Sequence, residues 1–273
     1  MEEAEATPLN LALQNAQRII DEWIKHDDPT AVLDLNCSYF RELPELPPNL
    51  NELSCGCNQL TKLPLLPQDL RELWCFSNQL TILPKLSPNL ERLECYNNQL
   101  TELPHLPSSL KTLDCDNNQL TELPHLPSSL IVLCCHDNQL TELPHLPPNL
   151  KTLWCNGNQL TKLPSLPRGL TMLLINNNKL TNLPPLPPSL KVFACVGNQL
   201  TELPELPSGL KELICDNNKL TKLPLLPQSL EKLSCKDNPL QYPPPEVMER
   251  PLNEIKEWMS KNPLNFVKSA AER

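Results

Sequence analysis

Cys134 and His136 place a thiol and an imidazole two residues apart, and Asp114 and Asp116 repeat that spacing twenty residues earlier. On an extended segment, residues two apart share a face. A cysteine beside a histidine can act as an activated nucleophile, and a thiol, an imidazole and a carboxylate together can hold a metal ion. Two further sets recur at intervals of twenty: Cys37 with Cys57, and His105 with His125 and His145. The cysteines can close a disulfide if their segments are neighbours. The histidines can repel one another on protonation and sense pH at about 6.

All these residues are placed by one twenty-residue unit, Leu-x-x-Leu-x-Cys-x-x-Asn-x-Leu-Thr-x-Leu-Pro-x-Leu-Pro. It starts at Leu50, Leu70, Leu90 and so on to Leu230, and a degenerate copy precedes it around Leu33, Leu35, Phe40, Leu43, Leu46 and Pro47. A repeat of this period predicts a solenoid. No single unit can bury its apolar side, so the units must stack into one continuous core. The segment around Leu53, Ser54 and Cys55 alternates apolar and variable residues, as a short strand with one face in the core should. Stacked strands make a parallel sheet. After each strand, asparagines from Asn58 to Asn238 recur at constant phase and are read as a ladder that satisfies backbone groups at each bend. Prolines such as Pro64 and Pro67 forbid a regular helix in the return arm, which is expected to be extended or polyproline-like.

The flanks differ. Residues 8–26 have the spacing of an amphipathic helix, with Leu9, Leu13, Ala16, Ile20, Trp23 and Ile24 on one side. Thr7 can cap it, Pro8 suits its first position, and Asp27, Asp28 and Pro29 mark its end. Past the prolines at 243–245, a second helical patch carries Leu252, Ile255, Trp258 and Met259, with Pro251 at its start and Pro263 at its end. Leu264, Phe266 and Val267 then pack as a tail or stay exposed. The expected division is an N-terminal helical cap (1–29), a solenoid of about eleven coils (30–241) and a C-terminal helical cap and tail (242–273).

The formal charge is -9, distributed as -5 over residues 1–30, -4 over 31–240 and zero over 241–273. No long basic run is present, which disfavours a nucleic-acid partner. No apolar run is long enough to cross a membrane, and the acidic start at Glu2, Glu3 and Glu5 does not read as a secretory leader. Nine of the twelve cysteines share one repeat position, where Ile175 and Leu35 replace them in other coils. That exchange is the mark of a small buried hydrophobe rather than of a disulfide framework. The expected location is therefore intracellular and cytoplasmic, with reduced thiols, including Cys37 and Cys57.

The unit resembles the short bacterial-type leucine-rich repeat of effectors that pathogenic bacteria inject into host cells, and of related repeat proteins from amoebae and large viruses. The likeness runs from Leu33 to Leu240, and Leu53, Cys55, Asn58, Leu60, Leu63, Pro64, Leu66 and Pro67 form one complete copy. It implies an α/β fold, a leucine-rich repeat solenoid with one parallel sheet on the concave face, extended convex arms and helical caps. It also implies recognition of proteins through the concave sheet. Some of these effectors carry a cysteine-dependent ubiquitin-ligase domain after the repeats. Here 33 residues follow Leu240 and none is cysteine, so the likeness carries over recognition and gives no support for ligase activity. Cysteine where the family usually has an aliphatic strand residue is a further departure.

The repeat leaves free the outward strand positions equivalent to 52, 54 and 56, whose contents vary while the inward ones do not. Trp74, Phe76 and Tyr96 are expected to form one aromatic cluster. Trp154, Leu174, Ala194 and Ile214, with Met172, Val192 and Val196, form an apolar stripe. Glu94, Asp114, Asp116 and Asp137 make an acidic zone between them, bordered by His136. A contiguous apolar patch marks an interface more often than single exposed residues do, and these positions are the candidate partner-binding site. A smooth sheet offers no pocket for the Cys134/His136 pair, so neither catalysis nor a metal is assigned, and no cofactor is expected. The histidine row is read as copies of one segment on a solvated face. The functional expectation is a non-enzymatic protein-binding scaffold. The alternatives are a self-assembling or structural protein, including a virion component, and a relative of a ligase effector without its catalytic domain.

Overall fold

The computed structural model describes residues 8–26, 28 and 30–263. Its centre is a single parallel sheet of eleven strands in chain order. They are β1 (Leu33–Asp34), β2 (Glu52–Ser54), β3 (Glu72–Trp74), β4 (Arg92–Glu94), β5 (Thr112–Asp114), β6 (Val132–Cys134), β7 (Thr152–Trp154), β8 (Met172–Leu174), β9 (Val192–Ala194), β10 (Glu212–Ile214) and β11 (Lys232–Ser234). Register advances by twenty residues at every pairing, so Leu53 faces Leu73 and Leu93 faces Leu113. The strands are short because each coil must turn again within twenty residues. Hydrogen bonds just past the strands extend the ladder, as from Cys55 N–H to the Trp74 carbonyl (2.8 Å) and from Cys57 N–H to the Phe76 carbonyl (3.0 Å).

The core is a set of leucine columns that run through every coil. Leu53, Leu60 and Leu70 are fully buried, and so are their equivalents through the central coils. Burial of one such side chain contributes about 1.5–3 kcal/mol. The cysteine column behaves as small core residues. Cys55 through Cys215 in that column are buried, Ile175 and Leu35 share the environment, and Cys235 in the last coil is half-buried. Loss of solvent pushes the Cys55 and Cys155 thiols up to about 12, so these sulfurs stay protonated at any physiological pH.

The asparagine ladder satisfies the bends as expected. Asn138 accepts from Leu120 N–H (3.0 Å) and donates to the carbonyls of Cys115, Cys135 and His136 (3.0, 3.3 and 3.1 Å). Neighbouring coils repeat the pattern. The residue before each asparagine sits in the left-handed region: Asn97, Asn117 and Asp137 have φ of 55°, 49° and 49°, and Gly157 and Gly197 have 61° and 65°. Asparagine, aspartate and glycine tolerate that region best. The return arms hold no helix, in keeping with their prolines.

Helix α1 (Pro8–His26) precedes the sheet and buries Ala16 and Ile20 in the core, while Trp23 Nε1–H donates to the Ala31 carbonyl at 3.0 Å. At the other end, α2 (Pro245–Met248) and α3 (Leu252–Lys261) bury Val247, Ile255 and Met259. Lys256 Nζ donates to the carbonyls of Gln228 and Leu230, both at 3.1 Å, and so closes the last coil. Thr7, Asp27 and Pro29, the side chain of Leu9, and the tail residues Leu264, Phe266 and Val267 lie outside the described residues.

Candidate functional site

The concave face is built from the outward positions of the strands and the two residues after each. Because the strands are parallel and in register, each outward position forms a column across the coils. One column runs Ser54, Trp74, Glu94, Asp114, Cys134, Trp154, Leu174, Ala194, Ile214.

In the N-terminal third, Phe76 and Tyr96 stack with ring centroids 4.8 Å apart and an interplanar angle of 3°. Gly56, one coil earlier, makes room for this pair, since a Cβ there would meet the end of the Phe76 ring at 2.7 Å. Trp74 does not join the stack, which corrects the expected three-ring cluster. Its register neighbours are Ser54 and Glu94, and among the described residues it makes no ring contact. The shared face of residues 74 and 76 was legible in the sequence. The column spacing that separates their rings was not. Burial, and then the charges of Glu94 and Asp114, raise the Tyr96 hydroxyl above its ordinary value.

The C-terminal stripe is contiguous. Trp154, Leu174 and Ile214 are half-buried in one column, Met172 and Val192 pair in the next, and Val196 lies two residues past Ala194. Trp154 Nε1–H points at Met172 Sδ, 3.0 Å away, which fixes the indole against the stripe. Ala194 is only 4% exposed and adds no surface of its own.

The acidic zone differs most from expectation. Glu94 is held by Arg92 at 3.1 Å, and the same guanidinium reaches Glu72 at 3.1 Å. Asp137 is exposed. Asp116 and Cys134, both expected on the open face, are only 7% and 5% exposed. One Asp116 oxygen accepts His136 N–H at 2.6 Å and the other lies 2.6 Å from His136 Nε2. The first bond is a feature of the fold, since Asn156, Asn176 and Asp216 accept the equivalent amide of the next coil. Asp114 Oδ1 accepts from Asp116 N–H at 3.3 Å. Burial and the facing Asp114 carboxylate push Asp116 up to about 8, and burial raises Asp114 as well. Desolvation, reinforced by Asp116 and Asp114, lifts the Cys134 thiol far above its usual range. A thiol in that state is a poor nucleophile.

Of two other sequence motifs, the histidine row stays apart from this face, and the cysteine pair borders it at Tyr96, whose hydroxyl Cys57 helps to raise. His105, His125 and His145 are exposed on the return arms. Cys37 and Cys57 are exposed free thiols, and a hydrogen bond between them is the main cause of the raised Cys37 value. One recess was not anticipated. It has about 710 Å³ of volume on the arm side of the last coils and is lined by Leu203, Leu223, Leu225, Tyr242 and Pro263 among others. Its signal in the sequence is the bare apolar Leu225 in an arm position where several other coils carry histidine. No helix among the described residues is long and apolar enough to cross a membrane.

The profile described as "Leucine Rich repeats (2 copies)" matches residues 68–108, 88–128 and 128–168. The solved leucine-rich repeat domain of a Shigella effector is 34% identical, with 62% of this chain and 77% of that one covered and a TM-score of 0.57. The chain belongs to the bacterial-type leucine-rich repeat family. YopM from Yersinia enterocolitica is 45% identical over 74% of this leucine-rich repeat chain, with a TM-score of 0.73, and the match spans 45% of the YopM chain. A chain from the octameric complex of latrophilin 3, Unc5D and FLRT2 (LRR) is 23% identical over 77% of this chain and 75% of that one, with a TM-score of 0.63, and shares the fold. No curated protein sequence matches the leucine-rich repeat chain.

Proposed function

We propose that this leucine-rich repeat protein is a non-enzymatic scaffold that recognises a protein partner through its concave sheet. The observation that carries the reading is the contiguous apolar stripe of Trp154, Met172, Leu174, Val192 and Ile214, half-buried on a rigid, fully paired sheet. A patch of that kind is the common mark of an interface. Its tryptophan, already held by Met172, pays little ordering entropy on binding. Phe76, Tyr96 and Trp74 supply a second anchor, and Glu94, Asp114, Asp116 and His136 lie between the two. Apolar contacts at both ends of a polar centre suit a partner with a polar segment between two apolar ones. An intracellular, reducing location in a host cell fits the free thiols and the likeness to injected effectors.

The test compares the intact chain with a Trp74→Ala/Trp154→Ala variant in reducing buffer. Absolute mass is measured by light scattering, and proteins retained from a cell extract are identified. The expected result is a 30.9 kDa monomer whose specific captured protein is lost by the variant. Capture and mass unchanged in the variant would remove the concave site. An assembly that dissociates in the variant would replace the reading with self-assembly through the same face.

A further inference from the structure

The acidic zone of the same face holds a second arrangement of side chains. Asp114 and Cys134 face each other across β5 and β6, and Asp116 follows on the same side. One donor atom from each of the three lies within 4.8 Å of the others. The Cys134 side chain is 5% exposed and its sulfur makes no hydrogen bond among the described residues, although it sits against two carboxylates. Among the described residues, the only basic side chain within ion-pair distance of either aspartate is the His136 imidazole, at 2.6 Å from Asp116. Arg92 is occupied by Glu72 and Glu94. A thiol and two carboxyl groups gathered in a poorly solvated place either keep their protons or give them up to a bound cation.

We infer that Asp114, Asp116 and Cys134 form a binding site for one divalent transition-metal ion of the zinc class. Sulfur with oxygen selects such an ion over calcium or magnesium, which take oxygen ligands alone. Oxygen and sulfur ligands on a tetrahedral zinc stand about 3.5 Å apart. The present donors lie within 4.8 Å of one another, so side-chain movements on the order of 1 Å would bring them to that separation. When the metal binds, the Cys134 thiol proton and any proton held by the Asp114 and Asp116 carboxyl groups leave to solvent, and no electron is transferred. His136 is not one of the three donors but contacts one of them, Asp116, while its Nδ1 lies 3.1 Å from Asp137. It is a positioning residue, of the kind that orients a metal-bound carboxylate. Asp114 is half-buried, so water reaches its side of the triad. The inference stands whether or not a protein occupies the sheet.

The probe is cobalt(II), then zinc(II), added to the chelator-stripped full chain. A Cys37→Ser/Cys57→Ser background removes the exposed thiol pair. The expected result is one equivalent of cobalt, a near-ultraviolet thiolate-to-cobalt charge-transfer band, and displacement of that band by zinc but not by calcium. Cys134→Ser should abolish the band, Asp114→Asn should weaken binding, and His136→Ala should weaken it by about tenfold with the band retained. Absence of the band at stoichiometric cobalt overturns the site. So does a band of full intensity in Cys134→Ser, or unchanged affinity in Asp114→Asn. Asp114→Asn decides the matter if Cys134→Ser does not fold, since its side chain is partly solvated.

Discussion

The Phe76 ring lies flat against Tyr96, with centroids 4.8 Å apart, and its far end occupies the space where Gly56 lacks a side chain. Gly56→Ala should therefore displace the ring. The new methyl would meet ring carbons at 2.7 Å, and the stacking contributes about 0.5–1.5 kcal/mol. Lower unfolded-state entropy offsets this by about 0.4–1 kcal/mol. Stability should change little while the aromatic near-ultraviolet circular dichroism falls. An unaltered aromatic signal would show that Gly56 does not set the ring position.

Removal of one rung of the asparagine ladder should be far more damaging. Asn138→Ala strips a partner from Leu120 N–H and three carbonyls in the buried bend. Each buried group left unpaired costs about 1–3 kcal/mol, though the carbonyls retain other contacts. A loss of about 3 kcal/mol in urea denaturation is expected. Asn238→Ala, at the last and partly exposed rung, should cost clearly less. Equal losses at the two sites would contradict the burial argument.

Metal-free protein should lose stability as pH rises from about 4 to about 8. Asp116 binds its proton more tightly folded than unfolded, because it is buried opposite Asp114, with Asp137 and Cys134 close by and His136 in contact. Between its unfolded value and about 8, the folded state therefore holds more protons, and the stability slope with pH is negative. The contribution is complete below the unfolded value and is lost as pH passes the folded one. Asp114, raised in the same direction, adds to the slope. Asp116→Asn should flatten it and leave the variant the more stable protein at pH 8.5. Melting curves in chelator at pH 5, 7 and 8.5 check this, and parallel curves for the two proteins would refute it.

Native protein should expose two fast-reacting thiols out of twelve. Cys37 and Cys57 are exposed, whereas Cys55 and Cys155 combine burial with values of about 12, and the thiolate is the reactive form. Titration with Ellman's reagent should show the pair first, Cys235 more slowly, and the rest only in denaturant. Cys37→Ser/Cys57→Ser should remove the fast phase. Its survival would mean that the cysteine column is open to solvent.

Glycine at the left-handed bend should resist replacement. Gly157 has φ of 61°, and a Cβ there would collide with Asp137 Oδ1. Gly157→Ala is expected to cost about 1–2 kcal/mol from the backbone alone, read as a lower urea midpoint. The reverse change, Ser77→Gly at φ 50°, relieves strain and should be neutral or stabilising.

The recurring Leu53, Cys55, Asn58 and Leu60 pattern by itself determined the solenoid, the parallel sheet, the buried thiols and the asparagine ladder. It could do so because each is a local rule repeated at a constant phase, and a period states which residues of successive coils become neighbours. The helix at residues 8–26 was legible for the same reason, from its apolar spacing. The contents of the concave columns were legible too, and so was the stripe from Trp154 to Ile214.

Tertiary structure alone decided how those columns use their space. Trp74 parts from Phe76 and Tyr96, and Phe76 fills the gap left by Gly56. Asp116 and Cys134 sink to 7% and 5% exposure on a face where alternation predicts open residues. Alternation gives only the direction in which a side chain leaves the strand. Whether it meets water depends on the size and rotamers of neighbours twenty residues away, and that packing turned an expected smooth acidic surface into a half-enclosed cluster of donors.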